Sequence, residues 1–98
     1  MKYYCYILYS KALDRYYTGY TSLSPKERLS NHLSSFYGTT KFTSKANDWI
    51  LFWSIECSSP LQAQKIERHI KKMRNRKYIE NLSKYPEIGV KLKTRYID

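Results

Sequence analysis

"YYCYILYSKALDRYYTGYT", residues 3–21, places seven tyrosines in nineteen positions, and its reading decides the fold. Residues 3–9 are aromatic and β-branched, residues 15–21 repeat that character, and a polar stretch separates them. The pattern predicts a β-hairpin. Alternation sets Tyr4, Tyr6 and Leu8 on one face of the first strand, and Tyr17 with Gly19 on one face of the second. Pairing Tyr6 across from Tyr17 sets Tyr9 against Asp14 and leaves residues 10–13 as the loop. A slip of one residue sends the two tyrosines to opposite faces. Packing alone could use tyrosines, but phenylalanine or valine fills a core without burying a hydroxyl that needs a partner, which raises the question whether some of these phenols do chemistry.

Beyond the hairpin, "SPKERLSNHL" (residues 24–33) carries helix start signals. Ser24 is placed to cap, Pro25 suits the first helical position and Glu27 completes a capping box. Leu29 and Leu33 form its apolar stripe, while Arg28 and His32, four apart, share the neighbouring strip and reach one site together. Residues 36–48 read as a polar loop carrying Lys41 and Lys45. "WILFWSIEC" (residues 49–57) is almost continuously apolar and reads as a central strand buried on both faces. "SSPLQAQKIERHIKKM" (residues 58–73) repeats the start signal with Ser59, Pro60 and Gln62, and Ala63, Ile66, Ile70 and Met73 give it an apolar stripe. A break near Asn75 leads to a short helix over residues 76–82, and residues 84–98 form a tail without a firm assignment. The expected class is α/β: a small, three-stranded, mainly antiparallel sheet flanked by helices in the order β-β-α-β-α-α. Residues 1–83 form the domain, and residues 84–98 belong to it or pack loosely on it.

Ninety-eight residues suffice for one core, and 42% apolar with 16% aromatic content argues against disorder. Eighteen Lys and Arg against eight Asp and Glu give a formal charge of +10. That balance favours a polyanionic partner, nucleic acid ahead of an anionic membrane, with surplus lysine for solubility as the plain alternative. Cys5 and Cys57 belong to no CxxC pair and sit in apolar runs, so buried, reduced thiols are expected. No apolar stretch has the length of a membrane span, and the N-terminus lacks a signal peptide's apolar segment; a cytoplasmic protein is expected.

Between Lys65 and Lys77 lie Lys65, Arg68, Lys71, Lys72, Arg74, Arg76 and Lys77. With Lys41 and Lys45 they suit a phosphate-tracking surface, which by itself carries no sequence information. Glu67 stands alone among these cations. It reads either as an i,i+4 partner of Lys71 or as a ligand for Mg²⁺, which takes one or two carboxylates plus waters and phosphate oxygens. Arg28 and His32 read either as surface groups or as a phosphoryl-charge stabiliser beside a general acid or base.

"CYIL", then "YTG" eleven residues later, then "ERLSNH", "TKFT" and "AQKIERHIKK" together resemble the GIY-YIG nuclease domain. The likeness is to small stand-alone members akin to the N-terminal domain of the bacterial excision-repair nuclease subunit, and it spans nearly the whole chain. The first motif reads Tyr4-Cys5-Tyr6 and keeps only its tyrosine; the second reads Tyr17-Thr18-Gly19, with threonine for isoleucine. Arg28 matches the family's helical arginine, His32 a position held by histidine or tyrosine, and Glu67 the metal-binding glutamate. Asn81 is a loose counterpart of a late asparagine.

The resemblance implies hydrolysis of DNA phosphodiesters with one divalent ion, Mg²⁺ or Mn²⁺, held by Glu67, and a role in DNA repair. Tyr17 is then the base that activates water, assisted by His32. Tyr6 positions water or phosphate, Arg28 stabilises transition-state charge, and Gly19 and Asn81 support the site. Targeting comes from DNA structure or from a protein partner; RNA is the other polyanion that fits. The rivals are a catalytically inactive nucleic-acid-binding module of the same fold, and an interaction protein whose charge serves solubility or ribosomal RNA contact. Oligomeric state is not legible.

Overall fold

A computed structural model describes residues 2–22, 27, 48–73 and 75–97. Strands β1 (Tyr3–Ser10), β2 (Arg15–Thr21) and β3 (Ile50–Cys57) form an antiparallel sheet in the order β2-β1-β3. Helices α1 (Pro60–Met73), α2 (Arg76–Lys84) and α3 (Pro86–Arg95) follow. The α/β class and the small antiparallel sheet agree with the sequence. The helix expected over residues 24–33 lies outside the described residues, except that Glu27 is helical and exposed.

The hairpin forms, with a register two residues from the expected one. Tyr6 pairs with Gly19, Leu8 with Tyr17, Tyr9 with Tyr16 and Ser10 with Arg15. The loop is therefore residues 11–14, closed by the Asp14 amide donating to the Lys11 carbonyl at 3.3 Å. Asp14 ends the turn at φ 52°, a left-handed conformation that Asp tolerates better than most residues. A shift of two preserves parity, so Tyr6 and Tyr17 keep a common face. Asp48, just before β3, holds the loop from outside. Its Oδ1 accepts from Ser10 Oγ at 2.6 Å and its Oδ2 from the Ala12 amide at 2.8 Å. Both bonds, through the charge they stabilise, hold the Asp48 carboxyl below its usual pKa.

The strand expected at the sheet centre is an edge; β1 is central, as its buried run Cys5, Tyr6, Ile7 and Leu8 shows. The continuous apolar look of β3 has a local cause. Ile7 pairs with Trp53 and Leu8 with Leu51, so Phe52 is the extra residue of a bulge and packs into the helix-side core. From Trp53 onward β3 alternates, with Ser54 and Glu56 exposed and Ile55 and Cys57 turned inward.

Two clusters divide the apolar residues by sheet face. Cys5, Ile7 and Cys57 meet Ala63, Ile66 and Ile70 of α1, Leu82 of α2 and Leu92 of α3. Tyr6, Leu8 and Trp49 pack on the other face, flanked by Leu13, Tyr17 and Leu51. The cysteines are buried and unlinked, as expected. The α1 capping box works with one change. Ser59 Oγ accepts from the Gln62 amide at 3.0 Å, while Gln62 Oε1 takes the Ser58 amide at 2.8 Å. Gln62 Nε2 also donates to the Lys93 carbonyl at 3.0 Å, which ties α1 to the last turns of α3. Met73, expected in the α1 stripe, is exposed.

Asn75 caps α2 by accepting from the Tyr78 amide at 3.2 Å. The tail is a helix: Pro86 starts α3, and Leu92 is buried. Gly89 lets α3 approach the sheet, since a Cβ there would lie 3.0 Å from Ile55 Cδ1. No helix among the described residues is long and apolar enough to cross a membrane.

Gly19 is required by Tyr6, because a Cβ on it would fall 2.6 Å from Tyr6 Oη and 2.8 Å from Cζ. Gly19→Ala should cost about 1–3 kcal/mol in urea unfolding through overpacking. Adding Tyr6→Phe should restore only part, because Cζ remains; an unaltered Gly19→Ala stability would show that the ring does not lie over this glycine.

Candidate active site

Alternation along β1 and β2 brings the two expected phenols together. Tyr6 and Tyr17 have ring centroids 6.5 Å apart, tilted by 42°. They are diagonal neighbours across the hairpin, because Tyr6 faces Gly19 and Tyr17 faces Leu8. Tyr6 is 1% exposed, walled by Leu8 and Trp49, whereas Tyr17 is half-buried on the edge strand. The pair thus combines a buried phenol with a partly exposed one. Tyr9 and Tyr16 serve the hairpin and its packing. Tyr9 donates to Asp14 Oδ1 at 2.7 Å, and the Tyr16 ring packs 4.8 Å from Tyr9 and 5.1 Å from Phe52.

Glu67 sits on α1, beside the stripe of Ile66 and Ile70, on the sheet face opposite the phenol pair. Its side chain is only 14% exposed, and Lys71 Nζ lies 3.7 Å from Oε2. The i,i+4 pair read from the sequence is therefore present, yet the carboxylate is also largely withdrawn from water. Burial pushes its pKa above the usual glutamate value, against the pull of Lys71 and Arg68. The nearby Cys5 thiol is raised as well, by burial first and then by Cys57 and Glu67. Among the described residues, the sheet separates the acid from the phenols, with α1 lying across β1 and β2 on the acid's side. Arg28 and His32 lie outside the described residues. Asn81 is half-buried on α2, where its carbonyl accepts from the Tyr85 amide at 2.7 Å.

The donor chemistry suits a hard cation held loosely. No group of three or more His, Cys, Asp or Glu among the described residues forms a cage. A single withdrawn carboxylate fits Mg²⁺ or Mn²⁺, which keep waters and take phosphate oxygens as further ligands. It does not fit structural zinc.

The basic run expected to act as one surface divides. Lys71 is engaged by Glu67, and Arg76 by Asp14 and Glu80. The Asp14 pairing is bidentate and holds the hairpin loop to the start of α2, with the guanidinium 5.3 Å above the Tyr16 ring. Hydrogen bonds from Arg76, then Tyr9, hold Asp14 below its ordinary pKa. Lys77 is exposed on α2. Lys65, Arg68 and Lys72 turn instead to a pocket shared with Arg95 and Tyr96 of the C-terminal segment. Lys41, Lys45 and Arg74 lie outside the described residues. His69, Arg95 and Tyr96 were not among the expected functional residues. The readable signal was the helical spacing of Lys65, His69 and Lys72 along one strip.

A family model described as the GIY-YIG catalytic domain matches residues 2–80, which include all three strands, α1 and the first half of α2. No curated protein and no solved structure gives a significant match.

The raised carboxyl of Glu67 has a thermodynamic consequence. Its native pKa lies above the unfolded value of about 4.5, so the favourable protonated form is fully present below that pH and is lost as pH rises through the native pKa. Glu67→Gln, studied in chelator, should therefore melt a few degrees above the parent at pH 7 and no higher at pH 4. A variant that melts lower at pH 7 would show that the Lys71 pair outweighs burial.

Proposed function

The chain belongs to the GIY-YIG family of DNA endonucleases, and from that premise we propose that it hydrolyses DNA phosphodiesters with the help of one divalent cation. The observation that carries the reading is the shared face of Tyr6 and Tyr17, 6.5 Å apart and held in register by Gly19. In the proposed reaction Tyr17, the more accessible phenol, takes the proton from the attacking water, with His32 assisting. A free phenol ionises near pH 10, so for Tyr17 to act at neutral pH a positive charge must favour its phenolate, and Arg28 or the metal would supply it. Tyr6, fixed in the interior, orients the water or the phosphate by its hydroxyl. Arg28 also balances the charge that grows on the phosphoryl oxygens. Glu67 would hold Mg²⁺ or Mn²⁺, and such an ion would supply charge to polarise the phosphate and steady the departing oxygen. Gly19 and Asn81 act as supports, Gly19 by leaving room for the Tyr6 ring.

Cations that contact backbone phosphate do not read bases. We therefore place its selectivity in DNA structure or in a protein partner, with repair of DNA as the setting. A catalytically inactive DNA-binding module is the second reading, favoured by the one observation that Glu67 and the phenols occupy opposite sides of the sheet.

Nicking of supercoiled plasmid separates the two. With Mg²⁺ or Mn²⁺ the parent should nick, chelator should abolish the activity, and Tyr17→Phe and Glu67→Gln should each lower the rate about 10²-fold or more. Binding without nicking, unaltered by either change, establishes the module. Cleavage at one defined sequence by the isolated chain would contradict selection by structure.

A further inference from the structure

Lys65, Arg68 and Lys72 follow one another at helical spacing along one side of α1, and the end of α3 delivers Arg95 and Tyr96 against that side. The result is a pocket of about 630 Å³. Among the described residues its cations are Lys65, Arg68, Lys72 and Arg95, which make no ion pair with any described residue, and no described carboxylate lines it. That sets them apart from Lys71 and Arg76 of the same run, which are engaged by acids. The aromatic wall is fixed: His69 Nδ1 and Tyr96 Oη are 2.8 Å apart, their rings meet edge to face at 5.6 Å, and the Arg95 guanidinium lies 5.5 Å above the Tyr96 ring. Burial, then Arg95 and Lys72, hold the His69 pKa below its usual value, so at neutral pH this histidine is a neutral hydrogen-bonding partner within a cationic rim.

Arg95 and Tyr96 lie beyond residue 80, where the match to the catalytic domain ends. The pocket is therefore completed by a segment outside the matched domain. Three of its cations, Lys65, Arg68 and Lys72, share α1 with Glu67.

We propose that the α1–α3 pocket is a second DNA-contact site, in which Lys65, Arg68, Lys72 and Arg95 grip a backbone phosphate away from the scissile one. The inference rests on the endonuclease reading for its substrate. Convergent cations without acid partners among the described residues match a phosphodiester segment in charge, and the Tyr96 ring offers a flat surface to the adjoining sugar or base. The contact holds the strand without reading sequence and supplies the grip that Lys71 and Arg76, already engaged, do not.

The test is anisotropy of a labelled DNA duplex in chelator over a range of salt, with plasmid nicking assayed separately. The proteins are the parent, Lys72→Gln with Arg95→Gln, Lys65→Gln with Lys72→Gln, and Lys91→Gln as an exposed control outside the pocket. The second pair leaves α3 untouched, and melting curves verify folding of each variant. Both pocket pairs should weaken binding about tenfold at moderate salt, and should reduce the slope of log affinity against log salt by about 0.9 for each phosphate no longer neutralised. Lys91→Gln should behave as the parent. Unaltered affinity and slope in both pairs, with nicking intact, would overturn the pocket and leave the nuclease standing. Weakened binding with no nicking by any protein would support the pocket and overturn the nuclease. Displacement of the duplex by an equal concentration of free mononucleotide would assign the pocket to small nucleotides and overturn it as a DNA contact.

Discussion

The Tyr6 ring rests where the side chain of Gly19 would otherwise be, and the rest of the molecule is arranged around that contact. Tyrosine is large and brings a hydroxyl that must be satisfied when buried, so an interior position on the central strand demands room from its cross-strand neighbour. Glycine gives that room at one position, and the Tyr6–Gly19 pairing follows. Parity then assigns every other side chain of the hairpin. Cys5 and Ile7 turn to the helices, while Leu8 and Tyr17 turn to the side of Trp49. A bulky residue at position 19 would press the ring outward and with it the second phenol.

In a chain with ten surplus positive charges, two of the acids sit at joints. Asp48 clasps the hairpin loop from the start of β3, and Asp14 clasps Arg76 at the start of α2. The exposed Lys2–Glu56 pair at 3.5 Å adds little, since surface ion pairs contribute weakly. Glu67 differs from all of these in being withdrawn from water, with Lys71 as its ion-pair partner among the described residues. Burying a carboxylate this way costs stability that hydrophobic packing of α1 must offset, a pattern expected of a group kept for chemistry. On another strip of α1, Lys65, Arg68 and Lys72, without acid partners among the described residues, face the pocket that α3 completes.

Local signals in the chain were readable wherever local chemistry decides. Ser59 and Gln62 announced the start of α1, Asn75 the start of α2, and the alternation of tyrosines the two faces of the hairpin. Pairing partners were less readable, because periodicity fixes parity and leaves shifts of two residues open; the left-handed Asp14 and the fit of Tyr6 to Gly19 settle that choice. The edge position of β3 was obscured by Phe52, whose bulge inserts an apolar residue into an otherwise alternating strand. In the tail, Gly89 lies within α3, where Ile55 and Trp53 crowd the place of a Cβ. The division of the basic run depends on which acids fold back onto it, and that is tertiary information. For the candidate site, the pairing of Tyr6 with Tyr17 on one face was legible, whereas the placing of Glu67 on the other side of the sheet was not.

Nuclear Overhauser effects across the hairpin test the central contact most directly. If the Tyr6 ring occupies the space at Gly19, its ring protons at Cε should show strong effects to the Gly19 α-protons, and the Leu8 and Tyr17 backbones should show effects as a facing pair. Strong backbone effects between Tyr6 and Tyr17, and none from the Tyr6 ring to Gly19, would contradict the register and with it the arrangement of the phenols.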